Sequence, residues 1–136
     1  ALLSGLPDST IDAVAGLVAR DDSPILMAQF RHLGGTAGRP APGGGARDCL
    51  PGEIVLYAAG VVPVPQAEAP LRAALAALRT MLLPVQAGTY PNFVEEPADA
   101  SRFWDTATWQ RLRRVKALYD AEDTFRGNHH IPPEGH

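Results

Sequence analysis

Three segments of this chain repeat their apolar residues at the spacing of an amphipathic helix, which predicts three helices. They cover residues 7–22, 65–84 and 105–123. The clearest is 65–84, whose apolar positions recur three and four residues apart: Leu71, Ala74, Leu75, Leu78 and Leu82. Glu68 and Arg72 stand four residues apart and are expected to pair. Pro84 is expected to end this helix.

The first and last helices are predicted from shorter patterns. The first is expected to be capped by Asp8 or Ser9, whose side chains accept from unpaired N–H groups. The last is expected to be capped by Asp105 or Thr106. Its buried side is predicted to hold four residues: Trp109, Leu112, Val115 and Tyr119.

Three further segments are predicted to be strands: 23–35, 53–62 and 85–96. Alternate residues of a strand point to opposite faces. In the first strand a mostly apolar set is expected to face the core: Leu26, Ala28, Phe30 and His32. Gln29 and Arg31 belong to the opposite face, with Ile25 and Met27, and are expected to meet water or a ligand. Pro91 removes one ladder donor from the third strand, which indicates an edge or a bulge.

The connection between the first two strands, residues 33–52, contains seven glycines and three prolines. Such a composition predicts a loop. A loop of this length is either functional or mobile. It is not a phosphate-binding loop, because no Gly-Lys-Ser/Thr is present and no helix pattern follows at once.

The order of elements is helix, strand, long loop, strand, helix, strand, helix. These strands are too few for a sandwich or barrel. We therefore expect an α+β fold, with an antiparallel sheet and helices packed on one face.

Composition adds mainly exclusions. The 136 residues fit one domain, and the net charge of −3 implies no general attraction to nucleic acid or anionic membrane. Cys49 is alone, so it forms no internal disulfide. No apolar run approaches the length of a membrane span. The first ten residues lack the charged region of a signal peptide. The cellular location stays open, with a cytoplasmic protein favoured over a secreted one.

Two candidate binding patterns are weak on their own. His129 and His130 are adjacent in an extended tail, where neighbouring side chains point apart, and His136 is the last residue. A zinc site needs three or four convergent ligands, so no metal is expected. The arginines of the last helix have no interleaved aromatic residues, so no nucleic-acid site is expected either.

A series of short motifs carries a stronger signal. From Thr89 to Pro133 the chain contains Tyr-x-Asn-aromatic, Arg-Leu, Val-Lys, Tyr-Asp, a Phe and Asn-x-x-Ile-Pro. The matching residues are Tyr90, Asn92, Phe93, Arg111, Leu112, Val115, Lys116, Tyr119, Asp120, Phe125, Asn128, Ile131 and Pro132. This series resembles the C-terminal segment of the berberine-bridge-enzyme-like, FAD-linked oxidoreductases. Upstream, "FRHLGGTAGRPAPGGGARD" resembles the strand and Gly-rich loop of that family's substrate domain, especially in bacterial members.

The resemblance implies that residues 1–95 are a substrate-domain portion and 96–136 the family's C-terminal helix and tail. It also implies that the N-terminal domain, which holds most of the FAD, is absent from this chain, because no Arg-x-Gly-Gly-His-like segment is present. The full-length protein would be an oxidase that passes hydride from a small molecule to flavin. This chain alone would be inactive. Its tail, with His129 and His130, would dock on the absent domain and be mobile without it.

The resemblance also implies roles for single residues. Tyr90 and Asn92 would contact FAD, whereas Gln29, Arg31 and Tyr57 would line the substrate cavity. The residues themselves leave alternatives open. Tyr57 fits a core tyrosine equally well, Arg31 a surface ion pair, and Asn92 a partner for the backbone beside Pro91.

A different class of protein fits the composition as well. A stand-alone α+β module that binds a small molecule, or forms a homodimer through its sheet, needs neither flavin nor a second domain.

Overall fold

The computed structural model describes residues 1–135, so His136 lies outside the described residues. The chain forms two compact units. Unit 1 comprises Ala1–Gly43 and Asp48–Thr89, and unit 2 comprises Gly44–Arg47 and the residues from Tyr90 onward. The division into parts 1–95 and 96–136, which the resemblance implies, stays a prediction.

Unit 1 contains a four-stranded antiparallel sheet and two helices, which confirms the predicted α+β class. Its elements are β1 (Leu2–Leu3), α1 (Asp8–Val18), β2 (Met27–His32), β3 (Ile54–Ala59), α2 (Glu68–Leu82) and β4 (Gln86–Gly88). The strand order is β2-β3-β1-β4. The central strand β1 was not predicted, because two residues are too few to show a periodic pattern.

Both helices of unit 1 contribute to one apolar core against one face of the sheet. The buried members are Leu3, Val14, Ile25, Ile54, Leu56, Leu71, Leu78 and Leu82. They include three of the five residues of the predicted α2 stripe, and the other two, Ala74 and Leu75, pack against them. Each fully buried leucine contributes roughly 1.5–3 kcal/mol through loss of contact with water. The helical pattern of α2 therefore predicted its buried side correctly.

Two local predictions for unit 1 were wrong. Strand β2 begins only at Met27, so Leu26 precedes it and is 72% exposed, whereas Ile25 is buried. Helix α1 follows Pro7 and has no side-chain cap, so neither Asp8 nor Ser9 has the expected role.

Unit 2 contains one α-helix, α3 (Thr106–Tyr119), among the described residues. Asp105 caps it as predicted, since its Oδ1 accepts a hydrogen bond from the Thr108 N–H at 2.9 Å. The third predicted strand is shorter than expected. Strand β4 ends at Gly88, and Pro91–Phe93 forms a 3-10 turn because proline cannot donate to a sheet.

The predicted buried side of α3 was only half correct. Trp109 and Leu112 are partly buried, but Val115 is 46% exposed and Tyr119 is 81% exposed. No helix among residues 1–135 is both long enough and apolar enough to cross a membrane.

Candidate functional site

The three residues predicted to line a substrate cavity lie on one face of the sheet. In the β2–β3 pairing Gln29 is directly opposite Tyr57. Phe30 and Leu56, the neighbouring residues along the two strands, pack in the core. Because side chains alternate along a strand, Gln29, Arg31 and Tyr57 belong to the face turned away from the helices.

Within this cluster Gln29 orients the guanidinium of Arg31. The Arg31 Nε and Nη2 groups both donate to Gln29 Oε1, at 2.9 and 2.6 Å. Arg31 is exposed, whereas Gln29 and Tyr57 are half-buried. The arrangement provides one held cation and one phenol on a polar patch of the sheet, which suits recognition of a polar small molecule.

The two residues predicted to contact FAD lie together in unit 2. The Asn92 Nδ2 group donates to the Tyr90 hydroxyl oxygen at 3.4 Å. The Tyr90 ring meets Phe93 edge to face, with ring centroids 4.9 Å apart. Asn92 is exposed and Tyr90 is half-buried. Since the Tyr90 oxygen already accepts from Asn92, its own proton remains a donor for another group.

Polar residues missed by the sequence pattern form a network at the C-terminal end of α3 and in the turn that follows. The Lys116 ammonium donates to Asp120 and to the Phe125 carbonyl and lies 3.2 Å from Asp123 Oδ1. Asp123 Oδ2 also pairs with the Arg126 Nε at 3.2 Å. The Lys116, Asp120 and Asp123 side chains are only 12–15% exposed. The i, i+4 spacing of Lys116 and Asp120 could have indicated their pairing from the sequence.

This network shifts the pKa values of Asp120 and Lys116. The hydrogen bond from Lys116, followed by that from the Phe125 N–H, lowers the pKa of Asp120 from 3.8 to about 2. Donating this hydrogen bond to Asp120 raises the pKa of Lys116, against the lowering effect of desolvation. Both shifts favour the charged forms in the folded state.

A pH dependence of stability follows from the Asp120 shift. Above its unfolded pKa of 3.8, the ionised Asp120 contributes its full stabilisation; as the pH falls toward the folded value of about 2, that contribution is lost. We expect urea unfolding of unit 2 to need less denaturant at pH 2.5 than at pH 5. Trp104 and Trp109, the only tryptophans in the chain, both lie in unit 2, so their fluorescence reports its unfolding.

The Asp120→Asn variant serves as the control for this dependence. It should be less stable at pH 5 and should change less between pH 5 and pH 2.5. Hydrogen bonds also lower the pKa values of Asp99 and Asp105, so a weaker dependence should remain. An unchanged slope in the Asn variant would contradict the role given to Asp120.

The tail forms hydrogen bonds within unit 2, whereas the resemblance implies that it would dock on an absent domain. Arg113 donates from Nε and Nη2 to the carbonyls of Pro132 and Pro133, at 3.3 and 3.1 Å. The His129 Nε2 lies 3.1 Å from the Pro91 carbonyl, and the His130 Nε2 lies 3.0 Å from Asp123 Oδ2. The tail is thus bound within unit 2, and both histidines have partners there.

A further residue missed by the sequence pattern, Arg47, comes from the glycine-rich loop. Arg47 lies over the Trp104 ring, 4.9 Å from its centroid, and donates to the Phe103 carbonyl. Phe103 is buried and lies 4.7 Å from the ring of His129. No periodic signal in the loop points to Arg47, since the loop has no regular structure to impose one.

The predicted site residues therefore form two groups, one in each unit. No three or more histidine, cysteine, aspartate or glutamate side chains between Ala1 and Gly135 are placed to hold a metal ion. Comparison of the chain with family models, with curated proteins and with solved structures found no match.

Proposed function

We propose that this chain is the C-terminal, substrate-binding part of an FAD-dependent oxidoreductase. In this proposal the full-length protein is an oxidase that passes hydride from a small-molecule substrate to flavin. A domain outside this chain holds most of the FAD. The observation that carries the proposal is the polar cluster of Gln29, Arg31 and Tyr57 on the sheet face away from the helices. In this proposal the cluster belongs to the wall of the substrate cavity, as the family resemblance implies.

In this proposal the cluster binds and orients the substrate. Arg31 offers positive charge in a direction fixed by Gln29, and Tyr57 lies across from Gln29 on the neighbouring strand. A guanidinium whose plane is held by another side chain loses less conformational entropy on binding a polar group. These residues therefore select and position the substrate.

Tyr90 and Asn92 fit contact with a flavin. A flavin ring carries carbonyl and nitrogen acceptors along one edge, and when bound it accepts the hydride. The Tyr90 hydroxyl, which accepts from Asn92 Nδ2, can donate to such an acceptor. Two polar groups on a short turn suit a contact to the cofactor.

The first test is the intact mass of the natural gene product together with its visible absorption spectrum. A protein much larger than this chain, with flavin absorption bands, is the expected result. A colourless product of this chain's length would overturn the proposal.

A second test uses Tyr90→Phe and Asn92→Ala in that full-length protein. A hydrogen bond to a group that becomes charged contributes roughly 1.5–3 kcal/mol. For a two-electron couple this corresponds to a midpoint potential about 30 to 60 mV lower in the Phe variant. Spectroelectrochemical titration of the flavin measures the shift without needing the substrate.

Tyr119→Phe is the matched control, because it removes the same hydroxyl from a residue to which the proposal assigns no contact with the flavin. Its potential should equal that of the wild type. Equal potentials for Tyr90→Phe and Tyr119→Phe would show that Tyr90 does not contact the flavin.

A second candidate function is a stand-alone module that binds a small molecule or dimerises. Exposed apolar side chains at the edge strand β2 favour dimerisation through the sheet: Met27 is 45% exposed, and Leu26, just before the strand, is 72% exposed. The mass and spectrum separate the two candidates, since a module of this kind would be short and colourless.

A further inference from the structure

The base of the glycine-rich loop in unit 1 forms an open cleft of about 510 Å³. Four glycines and the buried Leu33 make much of its wall, and three side chains with titratable groups line it: His32, Arg39 and Glu53. This volume falls within the range of about 300–1,000 Å³ found for small-molecule sites. None of the residues that line the cleft belongs to the cluster of Gln29, Arg31 and Tyr57.

Hydrogen bonds hold the walls of the cleft in place. The Leu33 N–H donates to the Glu53 carbonyl at 2.8 Å, which joins the two ends of the loop. The Leu50 N–H donates to the Ala37 carbonyl at 3.1 Å, and Arg39 Nε donates to the Gly35 carbonyl at 3.0 Å. A loop of twenty residues is thus closed at its base, so the cleft is a formed surface.

The cleft contains two opposite charges that do not pair with each other. Arg39 and Glu53 are both exposed, and within residues 1–135 they form no ion pair with one another. The hydrogen bond to Gly35 occupies only the Nε of Arg39. A guanidinium has further N–H donors, which suit a carboxylate.

We infer that this cleft binds a small zwitterion that carries a carboxylate and an ammonium group, such as an amino acid. Arg39 binds the carboxylate and Glu53 binds the ammonium group. A simple anion is disfavoured by Glu53 and a simple cation by Arg39, because each would meet a like charge in the same cleft. Glycines in the wall leave the backbone open to close approach by the ligand. The inference does not depend on the proposed flavin chemistry.

The test is an NMR titration of the ¹⁵N-labelled chain with ω-amino acids of increasing length, from glycine to 6-aminohexanoate. The glycine amides of the cleft report binding directly. We expect at least one probe to give saturable shifts with a Kd of about 1 to 10 mM, the range of a small ligand with few contacts. Acetate and methylammonium, which each carry one of the two charges, should bind at least about tenfold more weakly.

Variants assign the two charges. Arg39→Gln and Glu53→Gln should each weaken binding of the best probe at least about tenfold. Arg79→Gln is the matched control, because it removes the same charge from α2 without lining the cleft, and it should bind normally. The inference is overturned if no probe saturates, if acetate binds as well as the best amino acid, or if Arg39→Gln binds as the control does.

Discussion

Replacing Gly52 with alanine is expected to lower the free energy of unfolding of unit 1 by about 3 kcal/mol or more. Gly52 has a φ of +91°, where an L side chain is strained by roughly 1–2 kcal/mol. An added Cβ would also lie 2.4 Å from the Leu3 carbonyl oxygen, so backbone must move. Leu3 belongs to the central strand β1, and any shift there disturbs its pairing with β3. Urea unfolding followed by the amide signals of unit 1 measures the loss.

Gly43→Ala separates the two causes of this effect. Gly43 has a φ of +73° but open space around the position of a Cβ. In this variant the free energy of unfolding should therefore fall only by the cost of the strained backbone conformation, roughly 1–2 kcal/mol. Equal losses for the two variants would mean that β1 accommodates the added methyl group at no cost.

Replacing Leu82 with alanine is expected to lower the free energy of unfolding of unit 1 by about 2–5 kcal/mol, the range for a large-to-small change in a core. Leu82 is 2% exposed and packs in the same cluster as Leu3 and Leu78. Truncation removes the apolar contacts of its side chain and leaves a cavity that the neighbours fill only in part. The midpoint of urea unfolding should fall while the slope of the transition stays the same.

Leu83→Ala is the matched control, because the next residue carries the same side chain but is 63% exposed. Its effect should stay within about 0.5 kcal/mol. A comparable loss in both variants would contradict the assignment of Leu82 to the core.

The sequence predicted unit 1 well where one helix face is apolar throughout. The stripe of α2 faces the sheet as expected, and the pair Glu68 and Arg72 forms, with Arg72 Nε donating to Glu68 Oε1 at 2.8 Å. The sequence could not predict β1, since a two-residue strand is defined by its partners β3 and β4. Nor could it predict that Leu26 lies outside β2, because the first residue of that strand is set by its pairing with β3.

Helix α3 shows a different limit of periodic patterns. Its inner side combines the apolar residues Trp109 and Leu112 with the polar residues Arg113 and Lys116. Arg113 binds tail carbonyls that are distant along the chain. Lys116 binds a carboxylate and a carbonyl that follow the end of the helix. A pattern that assigns every apolar position to the core therefore misplaced Val115 and Tyr119.

The candidate site residues could be grouped from the sequence only in part. The alternation of β2 placed Gln29 and Arg31 on one face, and the structure adds Tyr57 through the register of β2 with β3. That register depends on pairing across a twenty-residue loop, which the sequence does not encode locally. The cleft with Arg39 and Glu53 was invisible for the same reason.

Apolar side chains at the end of α3 and in the segment after it affect how readily copies of the chain associate. Leu118, Tyr119 and Phe125 are each at least 75% exposed, and large apolar side chains in water favour association. Repulsion between copies has to oppose that association, and a net charge of −3 supplies little of it. The amino-acid sequence gives an isoelectric point of about 5.7, so we expect the solubility of the chain to be lowest near that pH.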